Sequence, residues 1–242
     1  MEREYYKAYS NSLGREMELL VFGYRGRAVL FFPTRMAHFY DYEDWGLVAA
    51  VEDRIDRGEL QLFCVDSVDA DSFYNAKIHP SERIKRYLHY EQYILEEVIP
   101  LIRSKNNSGF LEVAGCSMGA YHAANIALKH PLLFNKMVCM SGRFDLTRQI
   151  LTFKDLFEGF FNDDIYFNTP RRFMANLQDE AILSAIRRME IIIAVGETDP
   201  FLPDNREFSQ ILKDKAIDHQ LIVWEGFAHR PRYWQQMLRL YL

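Results

Sequence analysis

No lysine- or arginine-rich run occurs in the 242 residues, and acidic side chains outnumber basic ones, 34 against 29, for a net charge of -5. Nucleic acid requires a basic face, and an anionic membrane surface a basic stretch, so neither partner is expected. No apolar run approaches the roughly 18 residues of a transmembrane helix. Met1 to Ser12 is charged and polar without an apolar h-region, so no signal peptide is expected. Cysteine is scarce and odd in number. Cys64, Cys116 and Cys139 each sit in an apolar stretch, as buried thiols of a reducing compartment do, and they suit neither a disulfide framework nor a metal site. A cytoplasmic address follows as the expectation. Repeats, low-complexity tracts and Pro/Gly/Ser-rich linkers are also missing. The length suits one domain over residues 1–242 with a full core.

Aromatic residues are plentiful, with 14 Tyr and 18 Phe. From the middle of the chain onward, strand-like and helix-like stretches alternate, the pattern of a parallel sheet covered on both faces. Tyr5–Leu13 and Glu16–Phe22 read as an antiparallel start. Strands follow at Ala28–Phe32, Gln61–Val65, Phe110–Ala114, Lys136–Met140, Met189–Val195 and Gln220–Trp224. Ile84–Arg103 reads as a long helix with Tyr87, Tyr90, Ile94 and Val98 on one face. Asn205–Lys213 and Tyr233–Leu242 read as later helices. About forty residues, 143–181, have no clean sheet pattern and read as a cap-like insertion.

Chemistry concentrates in Gly115-Cys116-Ser117-Met118-Gly119. A G-x-S-x-G pattern between an apolar run and a helix-forming run is the context of a nucleophile elbow, where a serine sits in a strained turn and only glycines fit on either side. A serine hydroxyl is a poor nucleophile at neutral pH and needs a base, itself oriented by an acid. In an open α/β sheet all three belong in loops at the carboxyl ends of strands, in the order Ser, Asp or Glu, His. Of the later histidines, His130 ends the elbow helix and His219 precedes its strand, so both fall at the wrong edge. His229, in Gly226-Phe227-Ala228-His229, follows the last strand. His122, on the helix after Ser117, reads as a packing or surface residue. Asp199, in Gly196-Glu197-Thr198-Asp199-Pro200, is the preferred acid, because Asp before Pro makes a tight turn that projects its carboxylate; Glu197 and Asp204 are its competitors. The oxyanion hole needs two backbone N–H groups. Met118 is expected to give one, and the loop Pro33-Thr34-Arg35-Met36 the other, through Arg35 with Thr34 next.

The segments FFPT at 31–34, GCSMGA at 115–120, GETDP at 196–200 and GFAH at 226–229 together resemble the α/β-hydrolase superfamily, and within it the compact esterase group similar to esterase D. The resemblance spans most of the chain in the family's order. It implies a three-layer α/β-hydrolase fold with a mostly parallel sheet, and a cofactor-free carboxylesterase that works through an acyl-enzyme. It carries the nucleophile onto Ser117, the acid onto Asp199 and the base onto His229. The chain departs from the family after Phe32, where the usual histidine-glycine signature is missing.

A small-molecule ester is the expected partner. Two aromatic clusters, Phe39, Tyr40, Tyr42 and Trp45 in one loop and the insertion 144–173 in the other, are expected to flank the site, with Phe39, Tyr40, Trp45 and Phe160 touching substrate. An equal reading has the insertion's rings anchoring it to the body. The acidic turn Asp66–Asp71 lacks the spaced glycine and terminal glutamate of a calcium loop and reads as a polar loop near the pocket, so no metal is expected. The same triad would serve an acyltransferase, in which an alcohol or amine replaces water. A non-catalytic binding module on the same fold usually loses a triad member, and all three positions are filled here. The aromatic content permits a homo-oligomer.

Overall fold

The computed structural model describes residues 1–242. It contains one eight-stranded sheet in the order β1-β2-β4-β3-β5-β6-β7-β8. The strands are β1 (Arg3–Ser10), β2 (Arg15–Phe22), β3 (Arg27–Phe32), β4 (Leu60–Val65), β5 (Leu111–Cys116), β6 (Lys136–Met140), β7 (Glu190–Gly196) and β8 (Gln220–Trp224). β1 and β2 pair antiparallel, β2 and β4 likewise, and every pair from β4 across to β8 is parallel. The expected antiparallel start on a mostly parallel sheet is present. β1 ends three residues early, at Ser10, because Gly14 (φ 65°) helps close a tight turn into β2.

The central strands are buried along their whole length, as a sheet covered on both faces requires. Alternation along each strand sends side chains to two separate cores. Leu30, Phe32 and Val113 meet the helices α3 (Pro80–Tyr93), α4 (Ile99–Lys105), α5 (Met118–Lys129) and α9 (Leu202–Asp214). Val29, Phe31 and Ala114 meet α1 (Asp41–Asp44), α2 (Glu52–Asp56) and α10 (Pro231–Tyr241). The long helix expected over 84–103 runs from α3 to α4 through a π turn at Ile94–Val98. Pro100 explains the turn, since it has no N–H to donate back into the ladder.

Residues 143–181 hold α6 (Asp163–Phe167), α7 (Pro170–Asn176) and the start of α8 (Glu180–Ile186). Leu146, Leu156, Phe157, Ile165, Phe173 and Met174 are all buried in the larger core. The root of this segment is therefore part of the body, and its tip, around the Ile150–Phe153 bridge, is not. No helix is long and apolar enough to cross a membrane. The three thiols are buried and unpaired, and desolvation pushes all three well above the usual thiol range.

Candidate active site

Because β3 through β8 run parallel, the loops after β3, β5, β6, β7 and β8 gather at one edge of the sheet. Ser117 sits between β5 and α5 at φ 55°, ψ -113°, a conformation that side chains rarely adopt. Its N–H donates to Met140 O at 2.7 Å, which ties the turn to β6. A Cβ on Gly115 would lie 2.2 Å from the Gly119 backbone, and one on Gly119 would lie 2.3 Å from Phe32 O. The two glycines of the motif let β5, the turn and α5 approach this closely.

Asp199 follows β7 and is 3% exposed. Its Oδ1 accepts the Phe201 N–H at 2.9 Å, and its Oδ2 lies 2.7 Å from His229 Nδ1. His229 sits after β8 on a loop with two positive-φ residues, Gly226 (φ 71°) and Ala228 (φ 46°). Phe201, Phe227 and Trp234 surround its ring at centroid distances of 5.4–5.7 Å. Ser141, itself at φ 54°, donates its hydroxyl to Ala228 O at 3.5 Å and accepts the Trp234 indole N–H at 3.2 Å. These contacts fix the loop from behind. The Asp199 carboxylate fixes which ring nitrogen of His229 faces away from it. Ser117 and His229 line one cavity of about 310 Å³, with no hydrogen bond between them. The competing acids are elsewhere: Glu197 is exposed, and Asp204 accepts from Phe144 N–H and Arg171 Nη1. His130 pairs with Glu91, and His219 with Ser209.

The first N–H of α5, that of Met118, has no intrahelical acceptor and lies at the positive end of the helix. The Arg35 N–H and the Thr34 N–H likewise have no acceptor in the protein. Met36, at φ 59°, donates its N–H to Asp69 Oδ2 at 3.0 Å. Asp69 is fully buried, and its Oδ1 lies 3.3 Å from His122 Nε2. One carboxylate thus ties the loop after β3 to the helix that follows Ser117. The sequence reading put Asp69 in a polar loop near the pocket and His122 among packing or surface residues, without joining them. Asp66 contacts His38, and Asp71 pairs with Arg15. No group of three or more His, Cys, Asp or Glu side chains is arranged to hold a metal.

The cavity lining corrects the expected substrate contacts. It comprises Thr34, Arg35, Tyr74, Ser117, Met118, Arg143, Phe153, Phe201, His229 and Trp234. Phe39, Tyr40, Trp45 and Phe160 are not among them. Phe39 and Trp45 pack against the smaller core under α10, and the Trp45 carbonyl accepts from Gln235 at 2.7 Å. Tyr40 stacks on His38 at the surface. Phe160 packs against His79 and the larger core. Clustering along the chain does not say which side of the sheet a ring lands on. Of the insertion's rings Phe153 faces the cavity, 4.7 Å from Phe201, while Phe144, Phe157 and Phe173 are buried anchors. The missed lining residues Arg143 and Phe201 follow the carboxyl ends of β6 and β7, the rule that located Asp199 and His229.

Comparison with known proteins fits this geometry. No curated protein matches the chain by sequence. Among solved structures, a ferulic acid esterase superposes with a TM-score of 0.79 at 16% identity, covering 99% of this chain and 95% of its own. The fluorophosphonate-binding serine hydrolase F of Staphylococcus aureus gives 0.73 at 18% identity, with coverage of 99% and 96%. An S-formylglutathione hydrolase of Agrobacterium tumefaciens gives 0.71 at 17% identity, with coverage of 98% and 91%. These likenesses establish the α/β-hydrolase fold. The Putative esterase family model matches residues 10–240, nearly the entire chain. With the sheet order and that match in agreement, the chain belongs to the Putative esterase family and is a carboxylic ester hydrolase.

Proposed function

We propose that the protein is a serine carboxylesterase that hydrolyses small acyl or aryl esters through Ser117, His229 and Asp199. The observation that carries this reading is the 2.7 Å contact between His229 Nδ1 and Asp199 Oδ2, on a histidine that shares its cavity with a serine held at positive φ. In this reading the His229 Nε2 atom takes the Ser117 proton as Oγ attacks the ester carbonyl. Asp199 stabilises the imidazolium that forms. The oxyanion is held by the Met118 N–H and by the loop after β3, through Arg35 or Thr34. The protonated imidazole then gives its proton to the departing alcohol, leaving Ser117 acylated. Water, deprotonated by His229, attacks the acyl-enzyme and frees the acid.

Tyr74, Phe153, Phe201 and Trp234 wall a cavity of about 310 Å³, at the small end of ligand sites, which favours short acyl and aryl groups. The insertion acts as a partial cap, contributing Arg143 and Phe153 to this wall. Three buried thiols suit a reducing, cytoplasmic setting. Labelling with a fluorophosphonate probe tests the reading. The wild type labels and Ser117→Ala does not; equal labelling of the two would overturn it. Turnover of p-nitrophenyl esters falls from acetate to long chains, and a flat profile would refute the small-pocket assignment.

A further inference from the structure

Arg143 follows β6 and lines the catalytic cavity, yet it is only 4% exposed. Its Nη2 donates to the backbone carbonyls of Leu146, Arg148 and Lys154 at 3.4, 2.7 and 2.7 Å. Its Nε is buried with no acceptor, Nη1 makes no protein hydrogen bond, and no carboxylate lies within ion-pair distance. Arg83, the other buried arginine, and the half-buried Arg171, whose Nε also lacks an acceptor, each have a carboxylate partner. Arg83 pairs with Glu158 at 2.8 Å, and Arg171 with Asp204 at 2.6 Å. The carboxylates closest in sequence and space to Arg143 are engaged elsewhere: Asp145 accepts from Thr147 and faces Arg172, and Asp204 holds Arg171. A guanidinium remains charged at any working pH, and a buried charge is ordinarily paired.

The second cation of the lining is Arg35, whose guanidinium lies 5.8 Å over the Tyr74 ring and has no acidic partner. No Asp or Glu lines the cavity. A protein of net charge -5 therefore presents two uncompensated guanidinium groups beside Ser117. Anchoring the loop 146–154 accounts for Nη2 alone. It does not account for the free Nη1, for the want of a carboxylate partner that Arg27, Arg171 and Arg172 all have, or for Arg35.

We propose that the site takes esters bearing a carboxylate, with Arg143 as the buried anion-binding residue and Arg35 as its exposed companion. The inference rests on Ser117 being the nucleophile and adds the class of substrate. A planar guanidinium with free N–H groups matches a carboxylate in geometry as well as charge. The carboxylate could be on the acyl or the alcohol side, and matched substrates distinguish the two.

The acyl-side pair is mono-p-nitrophenyl glutarate against p-nitrophenyl valerate. The alcohol-side pair is para-acetoxybenzoate against its methyl ester. In at least one pair the wild type favours the charged member by roughly tenfold or more in kcat/KM, the range of a charge-assisted hydrogen bond. Arg143→Gln and Arg35→Gln each shrink that ratio, chiefly through KM. A wild type that prefers the neutral member of both pairs overturns the proposal, and so does an unchanged ratio in both variants. Arg35 is exposed and makes no hydrogen bond through its side chain, so Arg35→Gln keeps the test decisive should Arg143→Gln fail to fold. Inhibition of p-nitrophenyl valerate turnover by free glutarate or benzoate, weakened in Arg35→Gln, is the second readout; equal inhibition in both forms counts against the pair. Loss of all ester turnover together with failure of Ser117 to label would instead overturn the hydrolase reading itself.

Discussion

Gly196→Ala tests whether the alignment of Asp199 with His229 depends on how closely two loops approach. Gly196 ends β7, three residues before Asp199, and a Cβ there would lie 2.1 Å from Phe227 O and 2.4 Å from Phe227 C. Both contacting atoms are backbone, so no side chain can swing aside. To reach even 3.0 Å the 226–228 segment must retreat by about 1 Å. His229 is two residues further on, and its 2.7 Å contact with Asp199 would lengthen past the 3.5 Å at which a hydrogen bond is lost. A misplacement of about 1 Å costs on the order of 10²-fold, and loss of the acid's orientation about 10⁴-fold, so kcat should fall by a factor between these. Overpacking of this kind destabilises by about 1–3 kcal/mol. The assay is p-nitrophenyl acetate turnover, with near-ultraviolet circular dichroism and a urea titration to confirm folding. A folded Gly196→Ala with turnover within twofold of wild type would refute the reasoning.

Asp199→Asn should keep the fold and lower kcat by about 10⁴-fold, because the amide favours the wrong imidazole tautomer; activity near wild type would point to another acid. Asp69→Ala removes the acceptor that holds Met36 N–H, so the loop after β3 loses its tether. A fall in kcat of about 10²-fold with little change in KM is the expected result, and a change in KM alone would argue that the loop does not serve the oxyanion. Glu112 is fully buried on β5, 2.7 Å from Arg27 Nε, and burial raises its carboxyl from 4.5 to about 7 despite Arg27 and Lys136. The folded protein holds that proton more tightly than the unfolded chain, so stability falls as pH rises from 4.5 to 7 and is flat above. At 1.36 kcal/mol per pH unit the loss is about 3 kcal/mol. Urea titrations at pH 5, 6, 7 and 8 should show a steeper decline in wild type than in Glu112→Gln, and parallel curves would contradict it.

The residues proposed as the triad were placed from the sequence because each obeys a local rule. Ser117 needs glycines at 115 and 119, Asp199 sits in an Asp-Pro turn, and His229 follows the last strand. The strands were legible where burial on both faces produces an unbroken apolar run, as in Met137–Met140 and Ile191–Val195. The substrate wall was not, because its residues come from five separate loops and helices. Tyr74 arrives from the acidic loop and Trp234 from α10, and nothing in their neighbours marks them. Phe39 and Trp45 misled because they are near the loop after β3 in sequence but pack against the smaller core. The helices α1 and α2 went unread because they are only four and five residues long, too short for a helical period to register.

The insertion after β6 is rooted in the core but free at its tip, and Arg143 joins the two. Its Nη2 clasps the carbonyls of Arg148 and Lys154, the two legs of the hairpin-like tip that carries Phe153 over the cavity. The segment from 148 to 154 is therefore held to Arg143 through its backbone. Its side chains can change without removing the clasp, which grips only main-chain oxygens. A substitution at Phe153 would then reshape the cavity wall without touching Ser117 or His229.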